Sequence, residues 1–324
     1  MLTFEQSLEL IHENIGKIDY PPYPEQLYAP IRYILDLGGK RARPALVLLA
    51  CNLYKDNVSD SIHPALAWEV FHNFTLMHDD VMDKADIRRG KPTVHKEWNE
   101  NTAILSGDSM LILAYQIMAK APSDVMKPLL ELFSKTAAEI CEGQQLDMEF
   151  ESRLDVTEEE YLEMIRLKTA VMIGACLKSG AMIGGARMVD MNLLYEFGIN
   201  MGLAFQIKDD LLDIYGDSEV FGKAIGGDIL CNKKTYFLVN ALQLAENEDK
   251  KSLLNWLNTS SYNENEKIRG ITAIYDKLQL KQRAEDKMSA LYEKSLLSLK
   301  KLDVPEEKKT VLYEFAKQLM EREK

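Results

Sequence analysis

The chain is predicted to be all-α, on three observations. Helical periodicity runs through nearly every segment, no segment shows convincing alternation of period two, and the interruptions are short turn signals rather than linkers. At 324 residues the chain can bury a large core without a disulfide or metal staple. With no fixed-period repeat or low-complexity tract, one domain over 1–324 is expected.

The first helix is expected at 3–15, where "TFEQSLELIHENI" is amphipathic and acidic, without the basic start or cleavage site of a secretory signal. "YPPYP" at 20–24 leads into a second at 24–37, and "LGGK" at 37–40 separates that from a third at 43–54. Helices at 61–84 and 101–119 flank "RRGKP" (88–92), and "KAPSD" (120–124) precedes one at 125–150. Segment 157–186 holds the most apolar run, "AVMIGACLKSGAMIGGA". Lys178 interrupts it and it falls short of the roughly 18–20 residues of a membrane span, so it reads as a helix buried among helices. A helix at 191–215 ends before "GDSEVFGK" (216–223) and "IGGD" (225–228), and another follows at 233–246. The charged amphipathic segments 264–300 and 305–322 are read as an outer helical layer.

The net charge of −12 argues against a nucleic-acid partner, because phosphate backbones require a basic face. An anionic ligand must then be met by local clusters of Lys and Arg. Cys51, Cys141, Cys176 and Cys231 are scattered and form no CxxC pair, which suits reduced thiols in a cytoplasmic protein.

Two clusters carry the chemistry: "DDVMD" (Asp79, Asp80, Asp83) and "DDLLD" (Asp209, Asp210, Asp213). Positions i and i+4 of a helix lie about 6 Å apart on one face, so Asp79 stacks on Asp83 and Asp209 on Asp213. Asp80 and Asp210 are rotated to one side. Like charges so placed destabilise a helix unless a cation relieves them, and hard carboxylate oxygens suit Mg²⁺, which takes one or two carboxylates plus water and phosphate oxygens. A solvated acidic face is the bland alternative. Against it, both clusters end apolar runs, "FHNFTLMHDD" and "FGINMGLAFQIKDDLLD", and basic loops follow each.

"GGKRARP" (38–44) sets Lys40, Arg41 and Arg43 beside two glycines but is not a Walker loop, since the G-x-x-x-x-G-K-[ST] spacing is absent. Arg88 and Arg89 follow the first acidic helix, and Lys168, Lys223, Lys233 and Lys234 lie further on. Arginine can grip phosphate bidentately and lysine acts as a point charge. Taken singly each base reads as a surface residue; taken with two acidic clusters they imply pockets for two diphosphates. His72 precedes Asp79 by two helical turns, about 10 Å along nearly the same face.

Together "GGKRARP", "HNFTLMHDDVMDKADIRRGKPT", "GQQLD", "KTA", "FQIKDDLLD" and "GKAIGGDI…NKKTY" resemble the trans-isoprenyl diphosphate synthases, the farnesyl and geranylgeranyl diphosphate synthase family. The likeness covers about residues 38 to 240 in the family's order. It implies antiparallel helices around a deep central cavity, usually a homodimer, and head-to-tail (1′–4) condensation of isopentenyl diphosphate with an allylic diphosphate. Carried over by position, Asp79 and Asp83 would bind two Mg²⁺ ions with Asp80 in support. Asp209 would bind a third, with Asp210 and Asp213 nearby. Lys40, Arg43, His72 and Arg89 match positions that hold isopentenyl diphosphate. Arg88, Lys168, Lys223 and Lys233 match those that hold the allylic diphosphate, with Thr169 and Gln206 close to the reacting carbons. Asn232-Lys233 stands where the family commonly reads Gly-Lys, a departure confined to the local turn.

That chemistry explains the composition. Breaking an allylic C–O bond leaves a carbocation and a more negative diphosphate, which metal and fixed cations stabilise where the charge develops. The cavity must be apolar, since water would capture the cation. The alkene of isopentenyl diphosphate then attacks, and a proton leaves to the departed diphosphate. In the family, bulk just before the first aspartate sets the cavity floor. With Phe71, Phe74 and Thr75 there, a C15–C20 product is expected, geranylgeranyl diphosphate slightly favoured. Two rivals remain: a class I terpene cyclase, which needs only one diphosphate site, and a non-catalytic subunit of a heteromeric prenyl synthase, which would be expected to have lost an acidic motif.

Overall fold

The computed structural model of the chain describes residues 1–216, 226–259 and 261–321. Helices dominate: α1 (Phe4–Ile15), α2 (Glu25–Asp36), α3 (Ala42–Asn52), α4 (Ile62–Met82), the short α5 (Val94–Glu97), α6 (Glu100–Met118), α7 (Ser123–Phe150) and α8 (Glu158–Ile165). A π turn (Arg166–Ala170) joins α8 to α9 (Val171–Ile183), and α10 (Met188–Tyr215) follows. The remainder comprises α11 (Gly227–Leu230), α12 (Tyr236–Leu244), α13 (Asn247–Asn258), α14 (Glu264–Lys277), α15 (Leu280–Lys300) and α16 (Glu306–Glu321). Among the described residues the only extended pairing is a hairpin of β1 (Ile87–Arg88) and β2 (Lys91–Pro92). The all-helical expectation holds.

Helix starts have local causes. Thr3 with Gln6 and Thr157 with Glu160 form reciprocal capping boxes on α1 and α8. Asn99, Thr235 and Asn263 accept from the backbone N–H three residues on and so begin α6, α12 and α14. Three departures from expectation stand out. Segment 264–300 is two helices, broken at Gln279, whose φ is +55°; neither Gly nor Pro marks the spot. α13 occupies a stretch between the spans expected at 233–246 and 264–300, where no helix was expected; Leu253 is its one fully buried residue. The expected long helix at 157–186 is interrupted by the π turn.

By packing, the chain divides into two compact units. The first is Met1–Ser134, Ala175–Leu194 and Asp303–Val311; the second is Lys135–Gly174, Tyr195–Leu302 and Leu312–Lys324. In the first unit α4 lies along α6 and against α3. Its core includes Trp68, Phe71 and Phe133, and the Trp68 indole donates to Ser179 Oγ at 3.0 Å. In the second unit α12 packs on α8, α14 and α15 around Tyr161, Tyr236, Phe237 and Tyr275. Glu158, at the start of α8, accepts from Arg283 (2.8 Å) and Lys287 (2.7 Å) of α15. The four cysteines are unbridged. Among the described residues, no helix is long and apolar enough to cross a membrane.

Candidate active site

In the first unit, the aspartates close α4. The Asp83 N–H donates to the Asp79 carbonyl at 2.8 Å, so these two acids sit one turn apart at the helix end. Asp80 turns inward and is 2% exposed. Arg88 donates to both of its oxygens at 2.7 Å, from Nε and Nη2. The hairpin makes that return possible. Arg89 and Gly90 have φ of +53° and +75°, the backbone of a type I′ turn, and Arg88 pairs with Lys91. Thr93 then pins the loop, donating from its N–H to the Asp86 carbonyl (3.0 Å) and from its hydroxyl to that of Ala85 (2.7 Å).

The basic set assembles beside it. Arg43 Nη1 lies 3.2 Å from His72 Nε2, and the Arg89 guanidinium donates to the Gly38 carbonyl. A Cβ at Gly39 would stand 2.7 Å from Arg89 Nη2, so the glycine makes room for the arginine. Exposed Lys40 comes next in this loop. Arg41 does not join the set. It is buried, pairing with Glu69 and the Leu35 carbonyl, and Glu69 also accepts from Asn73 at 2.8 Å. Its role is to anchor the start of α3.

Burial, reinforced by Arg43, Arg89, Arg88 and Arg41, holds His72 well below the ordinary histidine pKa of 6.5. The folded chain therefore keeps His72 neutral where an unfolded one begins to protonate it. Stability should fall as pH drops through about 6.5, because the unfolded state then binds the extra proton. His72→Gln is expected to flatten that fall in urea titrations between about pH 7.5 and 5.5. Identical slopes for the two proteins would refute the assignment.

Below the aspartates, Phe71 is 1% exposed and packs on Trp68 and Phe133. Phe74 is less buried, with ring centroids 5.5 Å from Phe71 and 4.8 Å from His78. Phe71 is thus core that backs Phe74. The Thr75 hydroxyl turns back to the His72 carbonyl at 2.8 Å.

In the second unit, the π turn carries Lys168 and Thr169. Lys168 Nζ meets Asp147 Oδ2 at 2.6 Å, and the Thr169 hydroxyl lies 3.4 Å from Gln206 Oε1. Close approach depends on missing side chains. A Cβ at Gly143 of α7 would stand 2.3 Å from the Lys168 backbone nitrogen, and one at Gly202 of α10 would stand 2.7 Å from Ala170 Cα. Single π turns inside helices are frequent at functional sites, and this one carries two of the expected site residues.

Asp210 is 4% exposed, and its Oδ2 accepts from the Tyr161 hydroxyl (2.6 Å) and the Tyr236 N–H (2.8 Å). Burial, then the nearby Asp228, raises its pKa to about 7. Asp213 receives the Asp228 N–H at 3.1 Å, and Asp228 Oδ1 lies 3.8 Å from Lys233 Nζ. Lys234, read as a surface base, is buried and donates to the Glu151 carbonyl at 3.0 Å. Lys223 lies outside the described residues.

Sequence reasoning gave no role to Asp147, Asp228, Tyr161 or Tyr236. Asp147, Asp228 and Tyr236 sit in the quoted motifs "GQQLD", "GKAIGGDI" and "NKKTY", of which only the last two hold a lysine; nothing marked Tyr161. Among the described residues, no three His, Cys, Asp or Glu converge to hold a metal by themselves. Outer acids spaced one turn apart instead fit Mg²⁺, which completes its octahedron with water and diphosphate oxygens.

The model of the family described as Polyprenyl synthetase matches residues 24–275. The chain belongs to the polyprenyl synthetase family. It is a trans-prenyltransferase of the short-chain prenyl diphosphate synthase type. It is 46% identical over 222 residues to a geranylgeranyl diphosphate synthase of Methanosarcina mazei, covering 68% of each chain. A crystal structure of a geranylgeranyl pyrophosphate synthase, 42% identical, superposes with a TM-score of 0.94 over 99% of both chains. A polyprenyl synthase from Caulobacter crescentus, solved in complex with calcium and isoprenyl diphosphate, is 27% identical with a TM-score of 0.87, over 99% of this chain and 96% of that one.

Proposed function

We propose that this polyprenyl synthetase condenses isopentenyl diphosphate head-to-tail (1′–4) with dimethylallyl, geranyl or farnesyl diphosphate and releases diphosphate. One observation carries the reading: the two aspartate motifs are built alike, with the central acid buried and held by protein donors. Asp79, Asp83, Asp209 and Asp213 are the direct metal ligands, while Asp80 and Asp210, assigned to the metal by sequence, act through the groups they hold. Mg²⁺, three ions per site, would neutralise the leaving diphosphate as the allylic C–O bond breaks.

Lys40, Arg43, His72 and Arg89 hold isopentenyl diphosphate. Arg88, Lys168, Lys223 and Lys233 hold the allylic diphosphate, with Asp80 and Asp147 aiming Arg88 and Lys168. Thr169 and Gln206 border the reacting carbons. Phe74, backed by Phe71 and beside Thr75, limits the product to C15–C20, geranylgeranyl diphosphate favoured. A homodimer is supported by α6, which exposes Ile104 (44%), Leu105 (60%) and Ile112 (60%). Unbridged thiols suit work in the cytoplasm.

Radiolabelled isopentenyl diphosphate supplied with each primer, followed by chain-length analysis, tests the reading. Mg²⁺-dependent elongation ending at C20 is expected. Hydrocarbon released from allylic diphosphate alone would indicate a cyclase, and activity only with an added partner would indicate a subunit. In the same assay Phe74→Ala should lengthen the product by at least one five-carbon unit; an unchanged profile removes Phe74 from the floor.

A further inference from the structure

Lys267 of α14 is a lysine whose side chain is almost wholly buried, with 1% exposure. Its ammonium donates to the Leu230 carbonyl at 3.1 Å and to Asn232 Oδ1 at 2.7 Å, and sits 4.3 Å from the centroid of the Tyr262 ring. The Tyr262 hydroxyl also donates to the Leu230 carbonyl, at 3.2 Å, and Asn232 Nδ2 donates to the Leu257 carbonyl at 3.1 Å. Asn232 adopts φ of +56°, the left-handed backbone that the commoner glycine would take without strain. Here the asparagine keeps that backbone and adds two side-chain links that glycine lacks.

These contacts grip one end of a turn whose other end is on the second aspartate motif. The Gly226 N–H donates to the Asp213 carbonyl at 2.6 Å, and the Asp228 N–H donates to Asp213 Oδ2. The Lys233 N–H donates back to the Asp228 carbonyl at 3.0 Å. A Cβ at Gly226 would lie 2.8 Å from Ile268, the residue after Lys267, so α14 touches the turn at both ends. Burying an ammonium costs more than burying a methionine of similar length, so packing alone does not account for a lysine at this position.

We propose that Lys267 is a positioning residue for the allylic-diphosphate end of the reaction, closing with Asn232 a latch that fixes Asp228 and Lys233 beside Asp213. The proposal rests on the reading of Lys233 and Asp213 given above. Steady-state kinetics of the full chain, with primer and isopentenyl diphosphate varied separately, test it in Lys267→Met, Asn232→Gly and Lys233→Ala. Asn232→Gly keeps the backbone conformation and removes only the links, so it decides the matter if Lys267→Met fails to fold.

Both latch variants should raise the primer KM about tenfold, the scale of one lost hydrogen bond to a charged group. The KM for isopentenyl diphosphate should stay within about twofold, since a local shift touches one substrate only. Lys233→Ala should move the primer KM in the same direction. If Lys233→Ala raises it and the latch variants do not, the latch is refuted. A parallel rise in both KM values with a lowered Tm would show a general structural staple and equally refute it. If Lys233→Ala leaves the primer KM unchanged, the reading of Lys233 fails, and the proposal with it.

Discussion

Asp79→Ala is expected to lower kcat by about 10³-fold at saturating substrate, the scale reached when one preorganised stabiliser of transition-state charge is removed. The carboxylate stands at the end of α4, one turn from Asp83, and its loss leaves the leaving diphosphate's charge less neutralised as it develops. Asp80→Asn should behave differently. Asp80 accepts both bonds from Arg88, so an amide there disturbs the arginine before it disturbs any metal. Its effect should appear first as a raised primer KM. Retention of more than about a tenth of kcat by Asp79→Ala, with Mg²⁺ titrated to saturation, would contradict the direct role.

Gly143→Ala should destabilise the protein by about 1–3 kcal/mol, the usual cost of overpacking. The sign is diagnostic, because alanine for glycine inside a helix otherwise stabilises by about 1 kcal/mol. At this position the new methyl would meet Lys168 N at 2.3 Å and the Leu167 carbonyl carbon at 2.8 Å. Those are backbone atoms, so the π turn itself must move. Lys168 would then lose its 2.6 Å contact with Asp147, and primer KM should rise along with the drop in Tm. A Tm unchanged or raised in thermal unfolding would mean the two segments are less tightly apposed than described.

Much of the fold was legible. The bounds of α1, α2, α6 and α16 fall within a residue or two of the periodicity-based spans, because an amphipathic stripe and a capping residue are local signals. α13 was missed because its apolar signal is too sparse, and the break before α15 because Gln279 takes a left-handed backbone that no glycine announces. At the site, the acids and bases were identifiable by type and spacing. Their partners were not, as Lys168 with Asp147 and Asp213 with Asp228 illustrate.

By itself the sequence determined a helical chain with two carboxylate motifs, local bases to answer them and an aromatic run before the first. Each of those is a property of neighbours within a turn or two. Only the tertiary structure decided that Asp80 and Asp210 face protein donors, that Arg41 and Lys234 point inward, and that a π turn aims Lys168. The reason is distance along the chain. Tyr161 and Asp210 are 49 residues apart and Arg41 and Glu69 are 28 apart, so which polar group is buried, and by what it is satisfied, depends on elements that meet only in the fold.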